Sequence, residues 1–394
     1  MRKREINELK AGSILSYVNL IISNIIPLFY TPIMLRILGQ AEYGLYSLSN
    51  SVIGYLSLLN LGMGSAVARY VTKSKVKGEH EKVNSVVGLF LVIYCVMAFV
   101  VCVVGFSLTK GTGLIFGAGL NGLEIERLKN LMLIMTLSTA ISFPVSVLSF
   151  VVVAYEKFIF RKLFDGITTI ALPILNLIIL YLGYGSIGIA FIGLGIQFLY
   201  GIVYHIYCRQ KLNVVPIFRN IPWGLLKEIL SFSIFIFIST LVDMLYWATD
   251  KVLLGAMAGT VAVAVYNIGG TFTSMLQNMS AAISSVFTTR VNTMVFSKQS
   301  SEQISELMIR IGRLQYLIVS FVLSGYIVFG KKFICFWAGT AYTKSYYVGL
   351  MTMIPLTIPL IQSIAYSTIV AQNKHQFRAC VYAVIAILNI IGTV

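Results

Sequence analysis

Acidic residues are scarce in this sequence. Asp and Glu together account for 14 of 394 residues, and charged residues of both signs make up only 11%. Soluble domains carry roughly a quarter of charged residues, and a globule of this size could not bury a hydrophobic fraction of 58%. The composition therefore excludes a soluble protein and indicates that lipid covers most of the apolar surface.

Histidine and cysteine are also few. The three His are not spaced as metal ligands, and the five Cys form no CxxC pair. Most of the Cys lie in apolar runs, where a free buried thiol is the expected state. The sequence has no Walker A motif, no large loop and no cluster of carboxylates or histidines. We therefore predict a protein that is not an enzyme and that holds no metal and no cofactor.

Long apolar runs recur along the whole chain. Each is long enough to cross the bilayer as a helix, and the runs are continuous rather than alternating, which excludes a barrel. The sequence thus predicts an all-α polytopic membrane protein. We expect spans at 11–35, 44–68, 83–108, 130–155, 164–183, 186–208, 229–250, 260–289, 314–330 and 347–370, with an eleventh from about residue 379.

Basic residues predict the orientation. The 30 Lys and Arg, part of a net charge of +16, are concentrated in alternate segments between spans. The positive-inside rule then places the N-terminus in the cytoplasm, and these short basic clusters suit a membrane surface better than nucleic acid. The opening MRKREINELK resembles the start of a signal peptide, but the apolar run after it is too long, so we interpret it as the first span.

An internal repeat divides the chain. The segment LRILG at 35–39 is echoed by KVLLG at 251–255, and Pro144 by Pro359, each about 215 residues apart. Two parallel halves of six helices around a central cleft are a transporter plan, with the substrate near the midplane. We predict an N-terminal bundle at 1–208, a cytoplasmic linker at 209–227 and a C-terminal bundle at 228–394. The second bundle is expected to be truncated, because the repeat stops early.

Two aspartates lie within one predicted span. Asp243 is well inside the seventh span, and Asp250 follows seven residues later on the same helical face. An ionisable group inside the bilayer is costly unless it is hydrated or paired. One interpretation is a site for a coupling ion, H⁺ or Na⁺; the other is a structural hydrogen bond or ion pair between helices.

Cations stand at equivalent ends of the two halves. Arg36 ends the first span, and Lys251 lies near the matching position of the seventh. Facing a cleft, they would favour an anionic substrate such as a diphosphate; facing lipid, they would reach the headgroups. Asn24 and Gln277 are further candidates for lining a hydrated path, with hydrogen bonding between helices as the alternative.

Three segments carry a family resemblance. The stretch LRILGQAEYGLYSLSNSVIGYLSLLNLGMGSAVARYV at 35–71, TDKVLLG at 249–255 and AQNKHQFRACVYAVIAILNII at 371–391 resemble bacterial O-antigen and capsular polysaccharide repeat-unit flippases. These form the polysaccharide exporter branch of the multidrug/oligosaccharidyl-lipid/polysaccharide exporter superfamily. Asn60 departs from the acidic residue that many members carry, and Arg36 alone on the first helix argues against a role with lipid II.

The resemblance implies a function and a location. A flippase of this branch moves undecaprenyl-diphosphate-linked oligosaccharide from the inner to the outer leaflet of the bacterial inner membrane by alternating access, for lipopolysaccharide or capsule synthesis. Its partners would be the lipid-linked oligosaccharide, membrane lipids, a coupling ion and other polysaccharide assembly proteins. The alternative on the same fold is a cation-coupled antiporter for drugs or other small molecules, because fold does not fix function.

Overall fold

A computed structural model describes residues 2–219, 221–297 and 301–371, and these residues form helices joined by short turns. The helices are α1 (Arg2–Leu56), α2 (Gly64–Val76), α3 (His80–Phe116), α4 (Gly122–Ala154), α5 (Phe158–Tyr181), α6 (Gly185–Lys211), α7 (Leu226–Met257), α8 (Gly259–Phe296), α9 (Ser301–Trp337), α10 (Ser345–Ile361) and α11 (Ser363–Ala371). Single 3₁₀ turns occur at Ser57–Asn60, Trp223–Leu225 and Thr340–Tyr342. The prediction of an all-α protein is confirmed.

Several of these helices are long enough to span a membrane. Among the described residues, six helical segments are long and apolar enough to cross a bilayer, or seven if the bent pair α10 and α11 forms one span. A helix bonds its backbone N–H and C=O groups to one another, and the hydrocarbon of the membrane offers these groups no hydrogen-bond partners. The chain is a multi-pass membrane protein. The predicted eleventh span lies outside the described residues, and the orientation of the N-terminus stays a prediction.

The predicted spans 11–35 and 44–68 are separated, as expected, by a kink in α1. Gly39, which lies between them, has a non-helical conformation (φ 73°, ψ 174°). A further interruption lies inside the second predicted span. There Leu61 and Gly62 both have positive φ values, which end the 3₁₀ turn before α2 begins. Such a conformation is easy for glycine and unusual for leucine.

Proline does not mark the breaks reliably. Helices continue through Pro27, Pro32, Pro144 and Pro173, although proline removes a backbone donor. Only after Pro359 does a helix stop soon afterwards, at Ile361, where α10 and α11 meet at a bend of 51°. The predicted tenth span at 347–370 is therefore a broken helix.

The first bundle is built around α4. This helix packs against α1, α2, α3, α5 and α6. A side chain at Gly64 would collide with the ring of Phe150 on α4, so glycine permits the close approach of α2. The segment after α6 is tied to α3 as well: the Val215 N–H donates to the Asn84 side-chain oxygen at 3.2 Å, and the Ile217 N–H donates to the Asn84 carbonyl at 3.1 Å.

Two compact units can be distinguished in the chain. The first contains Met1–Ala248 and Val252–Thr260, and the second contains Thr249–Lys251 and the chain from Val261 onward. In the second unit α9 packs against α10 and α11. The predicted boundaries at 208 and 228 stay a prediction.

Candidate functional site

Two adjacent charges of α7 are each paired with a residue of α8. The two helices are joined at Ala258 and Gly259, and Gly259 has a positive φ of 81°. The Tyr266 hydroxyl donates to the Asp250 carboxylate at 2.5 Å, and the Lys251 ammonium donates to the Asn267 side-chain oxygen at 2.6 Å. The structure therefore brings Asp250 and Lys251 into one polar site, each partly buried.

Both charged groups can still form further hydrogen bonds beyond these pairs. An ammonium has three donors, and a carboxylate can accept about four hydrogen bonds. The contacts with Asn267 and Tyr266 engage one each. Within the described part of the chain, no carboxylate lies within 4 Å of the Lys251 nitrogen. The site thus presents a cation held by an amide beside an anion held by a phenol, a pattern that can bind an anionic group and a small cation.

Arg36 lies on the surface of α1, one turn before the non-helical Gly39. Its neighbours Leu35 and Leu38 are buried, whereas the guanidinium side chain is exposed. No ion pair with this group occurs among the residues that the structure describes. Among the described residues, Arg36 therefore forms no ion pair with an acidic side chain.

The other predicted residues are spread out. The Asn24 side chain donates to the Leu20 carbonyl of its own helix at 2.7 Å, and Arg36 lies about 18 Å further along α1. Gln277 is half-buried on α8, about 15 Å along that helix from Asn267. Asp243 belongs to α7, but its side chain lies outside the described residues. Of the predicted residues whose side chains the structure describes, Asp250 and Lys251 are the pair that lies together within one unit.

A buried amide sits at the α10–α11 bend. Gln315 on α9 is fully buried. With its nitrogen toward the bend, it donates to the Leu360 carbonyl at 2.8 Å and the Ile361 carbonyl at 3.2 Å, while its oxygen accepts from the Ser284 hydroxyl at 2.6 Å. Carbonyls freed by the helix break are thereby satisfied inside the protein, as hydrocarbon requires.

An acidic residue missed by the sequence argument ties three helices of the first unit. Glu42 on α1 accepts from the backbone N–H of Ser186 at 2.7 Å and from its hydroxyl at 2.8 Å. Its other oxygen lies 3.1 Å from Arg127 on α4. Since Ser186 is in the first turn of α6, the carboxylate also complements the positive end of that helix. Its role is structural.

Partners of the charged site were also missed. Neither Tyr266 nor Asn267 was predicted as a site residue from the sequence. A signal was available, because both stand about as far after the turn at Gly259 as Asp250 and Lys251 stand before it. Residues at about equal distances on either side of a turn between two helices are candidates for contact. Among the described residues, no group of three or more His, Cys, Asp or Glu is placed to hold a metal ion.

Comparison with known proteins gives one family and one fold. Residues 9–288 match the model of a family described as polysaccharide biosynthesis protein. The chain is similar to the inward-facing structure of a multidrug resistance MATE family transporter of the MOP superfamily, with 13% identity and a TM-score of 0.67 over 94% of this chain and 87% of that one. An outward-facing structure of a transporter of that kind gives 14% identity and a TM-score of 0.65, over 95% of this chain and 85% of that one.

A further similar structure is a MOP superfamily transporter from Pyrococcus furiosus. It shares 14% identity at a TM-score of 0.50, over 98% of this chain and 94% of that one, and its binding pocket is described as reversed in polarity. No curated protein matches the chain. At such identities these likenesses show the fold alone, which is that of the MATE-like transporters.

Proposed function

Because this chain belongs to the polysaccharide biosynthesis protein family, we propose that it moves undecaprenyl-diphosphate-linked oligosaccharide from the inner to the outer leaflet of the bacterial inner membrane. The observation that carries the proposal is the family match over residues 9–288, together with a transporter fold. The product serves surface polysaccharide synthesis, such as capsule or lipopolysaccharide. The N-terminus lies in the cytoplasm, as the distribution of basic residues predicts.

Cations give the proposed substrate its anchor. A diphosphate carries negative charge that must be matched wherever water is excluded, and charge-assisted hydrogen bonds are the strong kind. Arg36 is exposed and has no acidic partner in the described structure, and Lys251 is held by a neutral amide. Either group can therefore bind phosphate oxygens without first losing an ion pair. Asn24 and Gln277 add neutral hydrogen-bonding groups for the sugars.

Coupling to an ion is assigned to the acidic residues of α7. Asp250 is bonded to the Tyr266 phenol, a neutral donor that leaves its charge uncompensated. A carboxylate in that state can bind H⁺ or Na⁺ and so respond to the ion gradient across the membrane. Asp243, seven residues before Asp250 on the same helix, is proposed as a second group of the same pathway.

A cation-coupled antiporter for small molecules is the alternative. It is favoured by the fold, which this chain shares with multidrug transporters. Proteoliposomes distinguish the two functions. They would contain the protein and undecaprenyl-diphosphate oligosaccharide, and the fraction of substrate in each leaflet would be followed with a membrane-impermeant reagent that modifies only exposed sugar. A second set of vesicles would test efflux of organic cations under H⁺ and Na⁺ gradients.

The flippase proposal expects protein-dependent exchange of the lipid between leaflets. Replacing Arg36 with Ala removes one phosphate contact, and a charged hydrogen bond is worth about 1.5–3 kcal/mol, so exchange should slow by roughly tenfold or more. Lys110→Ala, which removes an exposed cation of α3, is the control and should leave the rate unchanged. Asp243→Asn should abolish the response to an ion gradient.

Absence of lipid exchange under every gradient, together with cation-driven efflux of organic cations, would replace the flippase with the antiporter. Asp243 and Asp250 would then be the groups that bind the coupling ion.

A further inference from the structure

The linker between α6 and α7 is fastened along α3. Its backbone donates twice to one residue of that helix, from the Val215 N–H to the side chain of Asn84 and from the Ile217 N–H to the Asn84 carbonyl. The Ile217 carbonyl also fills the space that a side chain at Gly88 would need. The segment 212–225 is therefore held in one place on the first unit rather than hanging as a free loop.

The linker has one buried side and one exposed apolar side. Val214 is buried in the first unit, whereas the adjacent Val215 is exposed. Phe218 is 61% exposed, and Trp223, in the 3₁₀ turn before α7, is also exposed. Large apolar side chains gathered on one exposed segment mark an interaction surface. We call the exposed set Val215, Phe218, Arg219 and Trp223 the linker face.

The side of α3 that carries the linker is its lipid-facing side. Asn84 and Gly88 are followed at helical spacing by Cys95 and Phe99, so all four lie along one face of the helix. Cys95 and Phe99 are exposed, the latter by 69%. They lie about 10 to 17 Å beyond Gly88 along a helix of membrane-spanning length. Hydrocarbon covers an apolar side chain at that depth, so the linker lies at the lipid-facing edge of the first unit.

The linker also lies at the depth where the membrane meets water. Asn84 and Gly88 are about one and two turns from the start of α3 at His80, where the span at 83–108 is expected to begin. Trp223 comes just before α7, which begins at Leu226. Tryptophan favours the membrane–water interface, because its ring is apolar and its N–H is polar. The basic segments predict that this end of both helices is cytoplasmic.

Basic residues accompany the apolar side chains. Residues 209–228 contain four basic residues and one acidic residue, Glu228. Arg219 directly follows Phe218 and is exposed. Among the side chains that the structure describes, no carboxylate lies within 4 Å of its guanidinium. Apolar rings flanked by basic residues are typical of a segment that lies on an anionic membrane surface.

We propose that the linker face binds the anionic headgroup region of the cytoplasmic leaflet, with Phe218 and Trp223 among the headgroups and Arg219 at a lipid phosphate. Its position on α3, its depth and the sign of its charge all fit this one partner. The linker then anchors the first unit to the membrane surface where the chain passes to α7. This role does not depend on which substrate the protein transports.

The test uses two photoreactive lipids, a phosphatidylglycerol and a phosphatidylcholine, each with a diazirine near the headgroup end of one acyl chain. The full chain would be reconstituted in phosphatidylcholine vesicles that contain a small fraction of one probe. After irradiation and proteolysis, the labelled segments would be identified by mass spectrometry. We expect label on the segment 212–227, with more from the phosphatidylglycerol probe than from the phosphatidylcholine probe.

Two variants and a control define the surface. The double change Phe218→Ser with Trp223→Ser removes the apolar contact and should reduce labelling of the segment by both probes several-fold. Arg219→Gln should reduce labelling by the phosphatidylglycerol probe about fivefold, the effect of one basic residue near an anionic surface, and should spare labelling by the phosphatidylcholine probe. The control is Lys77→Gln, which removes an exposed cation between α2 and α3, and labelling of the linker should not change.

Absence of label from the segment 212–227, while other segments at the ends of spans are labelled, would overturn the proposal by placing the linker in water. Equal labelling by the two probes that Arg219→Gln leaves unchanged would overturn it as well. So would cross-links from this segment to a second copy of the chain in place of lipid. None of these results depends on measuring transport, so failure here is distinguishable from failure of the proposed function.

Discussion

Helices α3 and α9 occupy corresponding places in the two halves and have the same length of 37 residues. Counted from the start of each helix, Tyr94 and Gln315 stand at the same position, and both are fully buried. The Tyr94 hydroxyl donates to the Asn60 side-chain oxygen at 2.9 Å, and the Gln315 amide bonds the carbonyls at the α10–α11 bend. In each half, one buried polar side chain at this position reaches a break in a neighbouring helix.

The halves differ in which neighbour is broken. In the first half the break separates α1 from α2, and α4 continues through Pro144. In the second half α8 is continuous, and the counterpart of α4 is divided after Pro359 into α10 and α11. In the second half the buried amide satisfies backbone carbonyls of the broken helix, which water cannot reach in hydrocarbon, whereas in the first half Tyr94 bonds the side chain of Asn60. Proline alone does not decide where the break falls.

The largest expected effect is on the second half. Gln315→Leu removes the amide that bonds the Leu360 and Ile361 carbonyls and the Ser284 hydroxyl, although Ser284 keeps its contacts with Ser280 and Ser363. Buried unsatisfied groups and lost bonds between membrane helices together should cost about 2–4 kcal/mol of unfolding free energy. Denaturation in mixed micelles measures it. Gln362→Leu, at an exposed position of the same bend, should change little; equal losses for both variants would contradict the role of Gln315.

A matched pair of substitutions compares the two helices directly. Gly88→Ala places a methyl group against the Ile217 carbonyl and must displace the segment after α6, at a cost of about 1–3 kcal/mol. Limited proteolysis should then cut within residues 212–222 more quickly. Ile309→Ala, the corresponding change on α9, should not accelerate that cleavage. A Gly88 variant as resistant as the native chain would show that the segment is not held there.

Tyr94→Phe tests the weaker contact of the first half. It removes the hydrogen bond to Asn60 and keeps the ring, so about 1 kcal/mol of unfolding free energy should be lost. The same change at Tyr316, which is 54% exposed, provides the control. If the two phenylalanine variants are equally stable in micelles, the Tyr94 contact does not stabilise the break at Asn60.

The smallest effect is expected at Arg127. Its guanidinium is 58% exposed beside Glu42, and exposed ion pairs contribute about 0.5 kcal/mol. Arg127→Gln should lower stability slightly in low salt and not at all in high salt, since salt screens the pair. Glu42 keeps its bonds to Ser186 in this variant. A large loss that persists in high salt would mean that Arg127 does more than pair with Glu42.

Hydropathy predicted the helices, because length and apolarity are local properties of the chain. The breaks were harder to predict. Pro144 and Pro359 give the same signal in sequence, yet only the second precedes a break, and the difference depends on distant residues such as Gln315. Leu61 and Gly62 form a break that no proline marks. The breaks therefore depend on tertiary contacts that one sequence does not display.

The candidate site was predicted in part for a similar reason. A charge in an apolar run is conspicuous, so Asp250 and Lys251 were identified from sequence. Their partners Tyr266 and Asn267 are common residues of membrane helices and acquire meaning only from their contacts with Asp250 and Lys251. Whether Arg36 contributes depends on what lies opposite it, which no local pattern reveals.

The most direct test of the account follows leaflet exchange of undecaprenyl-diphosphate oligosaccharide in proteoliposomes containing the native chain, Lys251→Gln or Lys344→Gln. Lys251 is held by Asn267 in the polar site, whereas Lys344 is an exposed cation before α10. The account predicts exchange by the native chain, a loss of roughly tenfold for Lys251→Gln, from one charged hydrogen bond to phosphate, and no loss for Lys344→Gln. Exchange that is absent with the native chain, or equal in all three, would contradict it.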